Sequence, residues 1–120
     1  MPNSDHALAE ENDCGGVGIS RTSYAGIVEE CRAWLDDPRC GDAESAAYIC
    51  IASVSGIVSA VLDPGIGPIL NCACIATSDG MPVVWAMRSF GVRNQQRVYG
   101  PTLMLKLCEM AESDRRAIFL

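Results

Sequence analysis

Two short segments without a charged side chain, at positions 46–52 and 72–77, restrict the fold of this chain most strongly. They read AAYICIA and CACIAT, and both are apolar on both faces, as strands are in a parallel sheet that is covered on two sides. Between them, VSGIVSAVL at 54–62 suits a helix, which the turn-forming run DPGIGP at 63–68 ends. This order predicts a parallel pair of strands with a right-handed crossover.

The first part of the chain extends this pattern. GGVGIS at 15–20 predicts a turn that leads into a short strand. A helix is expected from Thr22 or Ser23, either of which can cap it, to Pro38, which ends it. Its apolar side chains recur at helical spacing and form one stripe: Tyr24, Ile27, Val28, Cys31, Trp34 and Leu35.

The last part of the chain predicts two more helices and a third strand. One helix has Pro82 in its first turn and closes near Gly91, and another covers 100–114. RRAIFL at 115–120 has the composition of a buried strand. The complete order predicts an α/β fold with an open, mostly parallel, Rossmann-like sheet and helices on both faces. Ligands of such sheets bind beyond the carboxyl ends of the strands.

Length and composition set the domain organisation. With 120 residues the chain has the size of one domain with a modest core. Residues 1–14 are polar and acidic and predict a flexible tail, whereas residues 15–120 form the α/β unit. The start lacks the basic and apolar regions of a secretion signal. The longest apolar run, 46–62, is shorter than the roughly 20 residues that a membrane-spanning helix needs.

The charged side chains are distributed unevenly. Residues 1–80 carry three arginines against twelve acidic residues, a net −9, whereas residues 81–120 carry six basic against three acidic residues, a net +3. The acidic total argues against a nucleic-acid binder. The basic second part suits an anionic ligand or an anionic membrane face, and solvated surface charge is the alternative explanation.

The seven cysteines indicate a reduced, cytosolic chain, because their number is odd and no secretion signal precedes them. Most of them lie in apolar segments, where a thiol packs as a small apolar group. Cys72 and Cys74 have no second Cys/His pair at zinc spacing, and His6 is the one histidine of the sequence. We therefore expect no metal site and no other cofactor.

Asp79 is the first candidate for chemistry, because it follows the predicted strand 72–77 directly. At the mouth of the sheet its carboxylate could remove a proton from a substrate hydroxyl. The alternative is a helix cap, since aspartate is favoured where a helix begins. The following helix would leave free N–H groups at Gly80 and Met81, which form a plausible seat for an anion.

Arg97, Ser53 and Ser55 are further candidates. Arg97 lies in the polar connection 92–99, where its guanidinium would suit a diphosphate if the connection reaches the sheet mouth. A solvated loop arginine is the alternative. Ser53 and Ser55 follow the predicted strand 46–52, and their hydroxyls could bind a ligand or cap the next helix.

Several of these residues form a pattern of a known family. SDGMPVVWAMRSFG, followed by QRVYGPTLMLKLCEMA and AIFL, resembles the WecG/TagA/CpsF glycosyltransferases, also called glycosyltransferase family 26. The likeness runs from about Val17 to Leu120. It implies transfer of an N-acetylated aminosugar or related sugar from a UDP-sugar to a polyprenyl-diphosphate-linked acceptor. It also implies a role in bacterial cell-surface polysaccharide synthesis, in the cytoplasm at the inner membrane face.

The resemblance assigns roles to single positions. The family's proposed base falls on Asp79, and its arginine near the substrate phosphates falls on Arg97. Ser53 and Ser55 stand where many members carry asparagine and histidine, and Thr102 stands where aspartate is common.

The resemblance also concerns the extent of the fold. In the family a second α/β half follows the strand that matches AIFL, so the resemblance covers the N-terminal half of that domain. An apolar edge strand at AIFL predicts pairing with another chain, and hence a possible homo-oligomer. A folded binding or oligomerisation module without catalytic activity is the alternative to a transferase.

Overall fold

The structure is a computed structural model that describes residues 10–39 and 46–119. It contains four short strands and five helices within these ranges. In chain order they are β1 (Glu11–Asp13), β2 (Gly18–Ser20), α1 (Tyr24–Asp36), β3 (Ile49–Ala52), α2 (Val54–Leu62), α3 (Ile66–Asn71), β4 (Ile75–Ser78), α4 (Met81–Ser89) and α5 (Gly100–Ser113).

The central feature is the parallel pair of β3 and β4, joined by α2 and α3. Ile49 lies opposite Ile75, and Ala52 lies opposite Ser78, so both strands end at the same edge. β1 and β2 form a separate antiparallel pair. The Ser20 hydroxyl accepts the Ala76 N–H at 3.1 Å and ties β2 to β4. The mixed α/β class is confirmed, and the described residues form two sheets of two strands each.

β4 is buried along its whole length because helices cover both of its faces. Its alternate side chains point to opposite sides, as in any strand. Ala76 belongs to a core cluster with β2 and α4, for which Ile19 and Met87 are the largest fully buried members. Ile75 belongs to a second cluster, with Ile27 of α1 and Leu103 of α5. Packing on both faces therefore holds β4, and with it the position of its carboxyl end.

The predicted helices at 22–38, 54–62, 82–91 and 100–114 are confirmed within a few residues. Ser23 caps α1, and its hydroxyl accepts the Gly26 N–H at 3.2 Å. α3 was not predicted, because residues 63–68 have the composition of a turn. Pro68 fits α3 because it lies in the first helical turn, where a backbone N–H is not needed for the helix.

The strand predictions need correction. β3 covers the last four residues of the predicted segment 46–52, and Ile51 is 41% exposed, so β3 is not buried on both faces. β4 begins at Ile75 because α3 extends through Asn71. β1 lies inside the predicted tail at residues 1–14, where its pairing with β2 orders the backbone. Residues 1–9 lie outside the described part of the chain.

The predicted buried strand at 115–120 is wrong for the residues that are described. α5 ends at Ser113, and Arg115 adopts a φ of 53°, which turns the chain away from the helix. Residues 116–119 form no strand, and Phe119 is 95% exposed. An apolar composition favours a strand only where a neighbouring strand accepts its hydrogen bonds, and these residues pair with none of the described strands. Leu120 lies outside the described residues.

Candidate functional site

The carboxyl ends of β3 and β4 open onto one edge at which three helices begin. One residue separates β3 from α2, and two residues separate β4 from α4. α5 begins beside the same edge, because Gly100 lies against the side chain of Ile51. The Asp79 N–H donates to Ala52 O at 3.0 Å and so joins the ends of the two strands.

Asp79 and Arg97 meet at this edge. The Nε and Nη2 atoms of Arg97 both lie 3.3 Å from Asp79 Oδ1. The Asp79 side chain is 20% exposed and that of Arg97 is 45% exposed. Among the described residues, Asp79 Oδ2 and Arg97 Nη1 have no hydrogen-bond partner. The pair therefore presents a carboxylate oxygen and a guanidinium edge to solvent side by side.

A buried network fixes the loop that carries Arg97. The Val98 N–H donates to Ser78 O at 3.0 Å, and the Ser78 hydroxyl donates to Gln96 O at 3.0 Å. The side-chain amide of Gln95, which is 4% exposed, donates to Ser78 Oγ at 2.9 Å and to Thr22 O at 3.0 Å. Residues 92–99 lack regular structure, yet this network holds their end against β4.

Ser78, Gln95 and Tyr99 are residues of the site that sequence reasoning missed. Tyr99 lies beneath Arg97, whose Cζ is 4.6 Å from the centroid of the Tyr99 ring. Gln95 has the composition of a solvated loop, and its burial depends on contacts with residues 17 and 73 positions away. The one local signal was Val98, an apolar residue in a polar connection. Such a residue can be buried and so anchor the loop, and Val98 is fully buried.

Gly80 makes the turn from β4 into α4. Its φ of 90° lies in the region that favours glycine, because a Cβ there strains the backbone. Gly80 occupies the cap position of α4 and no side chain caps this helix, so the cap proposed as the alternative role of Asp79 is not observed. The N–H groups of Met81 and Val83 have no acceptor among the described residues. They supply partial positive charge next to the Asp79–Arg97 pair.

Ser53 adopts the alternative role considered for it, because it caps α2, whereas Ser55 lies within the first turn of that helix. Ser53 Oγ accepts the Gly56 N–H at 3.3 Å and so caps the helix. The two serine hydroxyls lie 3.0 Å apart and form a hydrogen bond with each other. Both serines share the strand edge with Asp79, but neither hydroxyl bonds to Asp79 or Arg97.

An apolar cavity lies at the other end of the parallel pair. It has a volume of about 480 Å³ and is lined by Trp34, Tyr48, Ile49, Leu107 and others from α1, α5 and the start of β3. The Asp79 edge is not part of it.

Thiols and metal ligands contribute little to this edge. Burial raises the pKa of the Cys31 and Cys50 thiols, which keeps both protonated and weakly nucleophilic at neutral pH. Within the described ranges, no three His, Cys, Asp or Glu side chains are grouped so that they could hold a metal ion. Asp79 supplies a carboxylate at this edge.

Comparison with protein families identifies one family that matches most of the chain. Residues 12–120 match the family described as the glycosyl transferase WecG/TagA/CpsF family. The chain belongs to that family. The resemblance based on the D-G-M-P and R-V-x-G-P segments is thereby confirmed. A comparison with curated proteins finds no significant match.

Family membership sets the general chemistry. WecG/TagA/CpsF proteins are glycosyltransferases of cell-surface polysaccharide synthesis, which use a nucleotide-sugar donor and an acceptor. Within the described residues, every helix is too short or too polar to cross a bilayer.

Proposed function

We propose that this WecG/TagA/CpsF protein moves an N-acetylated aminosugar or related sugar from a UDP-sugar to a polyprenyl-diphosphate-linked acceptor. The observation that carries the proposal is the Asp79–Arg97 pair at the carboxyl edge of β3 and β4. It combines a proton acceptor with a phosphate-binding cation, which are the two groups that such a transfer needs.

In this mechanism Asp79 Oδ2 takes the proton of the acceptor sugar hydroxyl. The hydroxyl oxygen forms a bond to the anomeric carbon of the donor, and the bond between that carbon and the diphosphate oxygen breaks. UDP leaves with the electron pair of the broken bond. Arg97 and the N–H groups at the start of α4 stabilise the charge that develops on the diphosphate.

The geometry of the ion pair is compatible with turnover. Both nitrogen contacts of Arg97 go to one oxygen at 3.3 Å, which is longer than the roughly 2.8 Å of a strong charged hydrogen bond. A diphosphate that offers several oxygens can therefore compete for Arg97 at small cost. Release of the guanidinium would leave Asp79 free to accept a proton.

Ser53 and Ser55 are proposed to line the acceptor side of the site, because they follow the end of β3 next to Ala52. A ligand would have to displace the hydrogen bond between their hydroxyls. We further propose that the full sheet is Rossmann-like, and that the protein acts in the cytoplasm at the inner membrane face. The proposals on the sheet and on the location rest on the family. The role of the two serines rests on the family and on their position after β3.

The test is transfer of a labelled N-acetylated aminosugar from a UDP donor to a polyprenyl-diphosphate acceptor. Asp79→Asn keeps the size of the side chain and removes the base, so we expect the transfer rate to fall by about 100-fold or more. Asp63→Asn is the matched control, because Asp63 is an exposed carboxylate that accepts the Gly65 N–H in the turn before α3. Equal rates for wild type and Asp79→Asn would refute the role of Asp79.

A second candidate function is a non-catalytic binding or oligomerisation module. Exposed apolar side chains favour it, above all Leu62 at 78% and Phe119 at 95% exposure. A chain that shows no transfer with any UDP-aminosugar, yet forms a defined oligomer by light scattering, would support this module and contradict the transferase.

A further inference from the structure

Arg97 lies in a loop without regular structure, so its guanidinium needs a specific support to stay in one place. The Asp79 contacts of 3.3 Å are long and involve a single oxygen, which makes them a weak restraint. The Tyr99 ring supplies a second restraint, because the guanidinium carbon lies 4.6 Å from the ring centroid. This contact lies within the range of a cation–π interaction.

Tyr99 is itself held by α1. Its N–H donates to the Tyr24 hydroxyl at 2.8 Å, across 75 positions of the sequence. Tyr24 is the first residue of α1 and packs on the core cluster that contains Ile27 and Val98. The Tyr24 hydroxyl therefore connects the backbone of the arginine loop to a half-buried side chain of α1.

We propose that Tyr24 and Tyr99 are positioning residues for Arg97, and this rests on the proposed role of Arg97 in diphosphate binding. The Tyr24 hydroxyl fixes the backbone of Tyr99, and the Tyr99 ring holds the flat face of the Arg97 guanidinium. Stacking occupies that face and leaves the N–H groups at the edge free for a phosphate. Neither tyrosine touches the reacting atoms.

The Tyr99 ring supports the arginine and is not part of the buried core. Tyr99 is 43% exposed, and it occupies the cap position of α5 without a side-chain hydrogen bond to that helix. A guanidinium that is already restrained loses less side-chain entropy when a diphosphate binds. The two tyrosines should consequently affect nucleoside-diphosphate affinity only while Arg97 is present.

The test measures UDP binding by calorimetry in single variants and in an Arg97→Ala background. Tyr99→Leu removes the ring, and we expect UDP affinity to fall about two- to fivefold. Tyr24→Phe removes one hydroxyl and should weaken UDP by about twofold. Both effects should disappear in the Arg97→Ala background.

Tyr48→Phe is the matched control, because its hydroxyl donates to a backbone oxygen, Ile69 O at 2.7 Å, far from the site. It should bind UDP as the wild type does. The Nε–H resonance of Arg97 gives a readout without ligand, since the ring current of Tyr99 shifts it. That shift should be lost in Tyr99→Leu, reduced in Tyr24→Phe and kept in Tyr48→Phe.

Three outcomes overturn the proposal: equal losses of affinity with and without Arg97, unchanged affinity in Tyr99→Leu, or a wild type that does not bind UDP. Failure of the transferase itself is separate from these. If the protein is not a transferase, UDP binding would still depend on Arg97 and both tyrosines, but no sugar would be transferred. This outcome supports the positioning role.

Discussion

Replacing Gln95 by leucine should destabilise the protein, because the amide of Gln95 is the centre of the network beneath Arg97. Its Nε2 atom lies within 3.0 Å of three oxygens, Thr22 O, Ser78 Oγ and Gln96 O, and it carries two hydrogens to share among them. Leucine has a similar volume, so the change removes hydrogen bonds and leaves little void.

The expected magnitude follows from the number of bonds and from their burial. Two hydrogen bonds at a net ~1 kcal/mol each give a loss of about 2 kcal/mol in the free energy of unfolding. Ser78 is fully buried, so water cannot replace the lost donor at its hydroxyl. For a chain of 120 residues, such a loss lowers the midpoint of thermal unfolding by roughly 8 °C.

Urea unfolding followed by circular dichroism measures this difference, with Gln96→Leu as the neighbouring control. The Gln96 side chain makes no hydrogen bond to the described residues and is exposed, so its variant should stay within about 0.5 kcal/mol of wild type. If Gln95→Leu also stays within this limit, the network does not hold the loop, and the account of how Arg97 is placed is wrong.

Two further variants test the turn and the buried thiols. Gly80→Ala should lower the free energy of unfolding by roughly 1–3 kcal/mol, because the φ of Gly80 is 90°. The control Gly56→Ala, in α2, should be neutral or slightly stabilising. Thermal melts in which Gly56→Ala is the less stable variant would contradict this prediction. Because burial raises the pKa of the Cys31 thiol above its unfolded value, its contribution to stability is complete below about pH 8.5 and is lost as the pH rises through the folded pKa. Unfolding free energies measured from pH 7 to 10 should therefore decline less in Cys31→Ala than in wild type, and parallel curves would show that Cys31 makes no such contribution.

The helices were predictable because their signals are local. The apolar stripe of α1 and the cap at Ser23 lie within one segment, and so do the prolines in the first turns of α4 and α5. The site was predictable in part: strand order places Asp79 at the carboxyl edge, and the family pattern singles out Arg97. Their direct contact depends on the buried network around Gln95, which joins residues far apart in sequence and leaves no local pattern.

The strands at the two ends of the chain were predicted poorly for a related reason. A strand is stable only when a partner accepts its hydrogen bonds, and an apolar run cannot show whether that partner exists. β1 forms because β2 lies within reach after a tight turn, although Glu11–Asp13 are polar. The residues 116–119 are apolar at three of four positions and still pair with no described strand.

The double burial of β4 has a consequence for how sequences of this kind can change in length. Deleting one residue between Ile75 and Ser78 would exchange the two faces of the strand, and it would move Gly80 to the place of Asp79. The same deletion or insertion at Pro64–Gly65 falls in an exposed turn between two helices. Length variation among functional descendants of this sequence should therefore collect at that turn and be absent between positions 75 and 80.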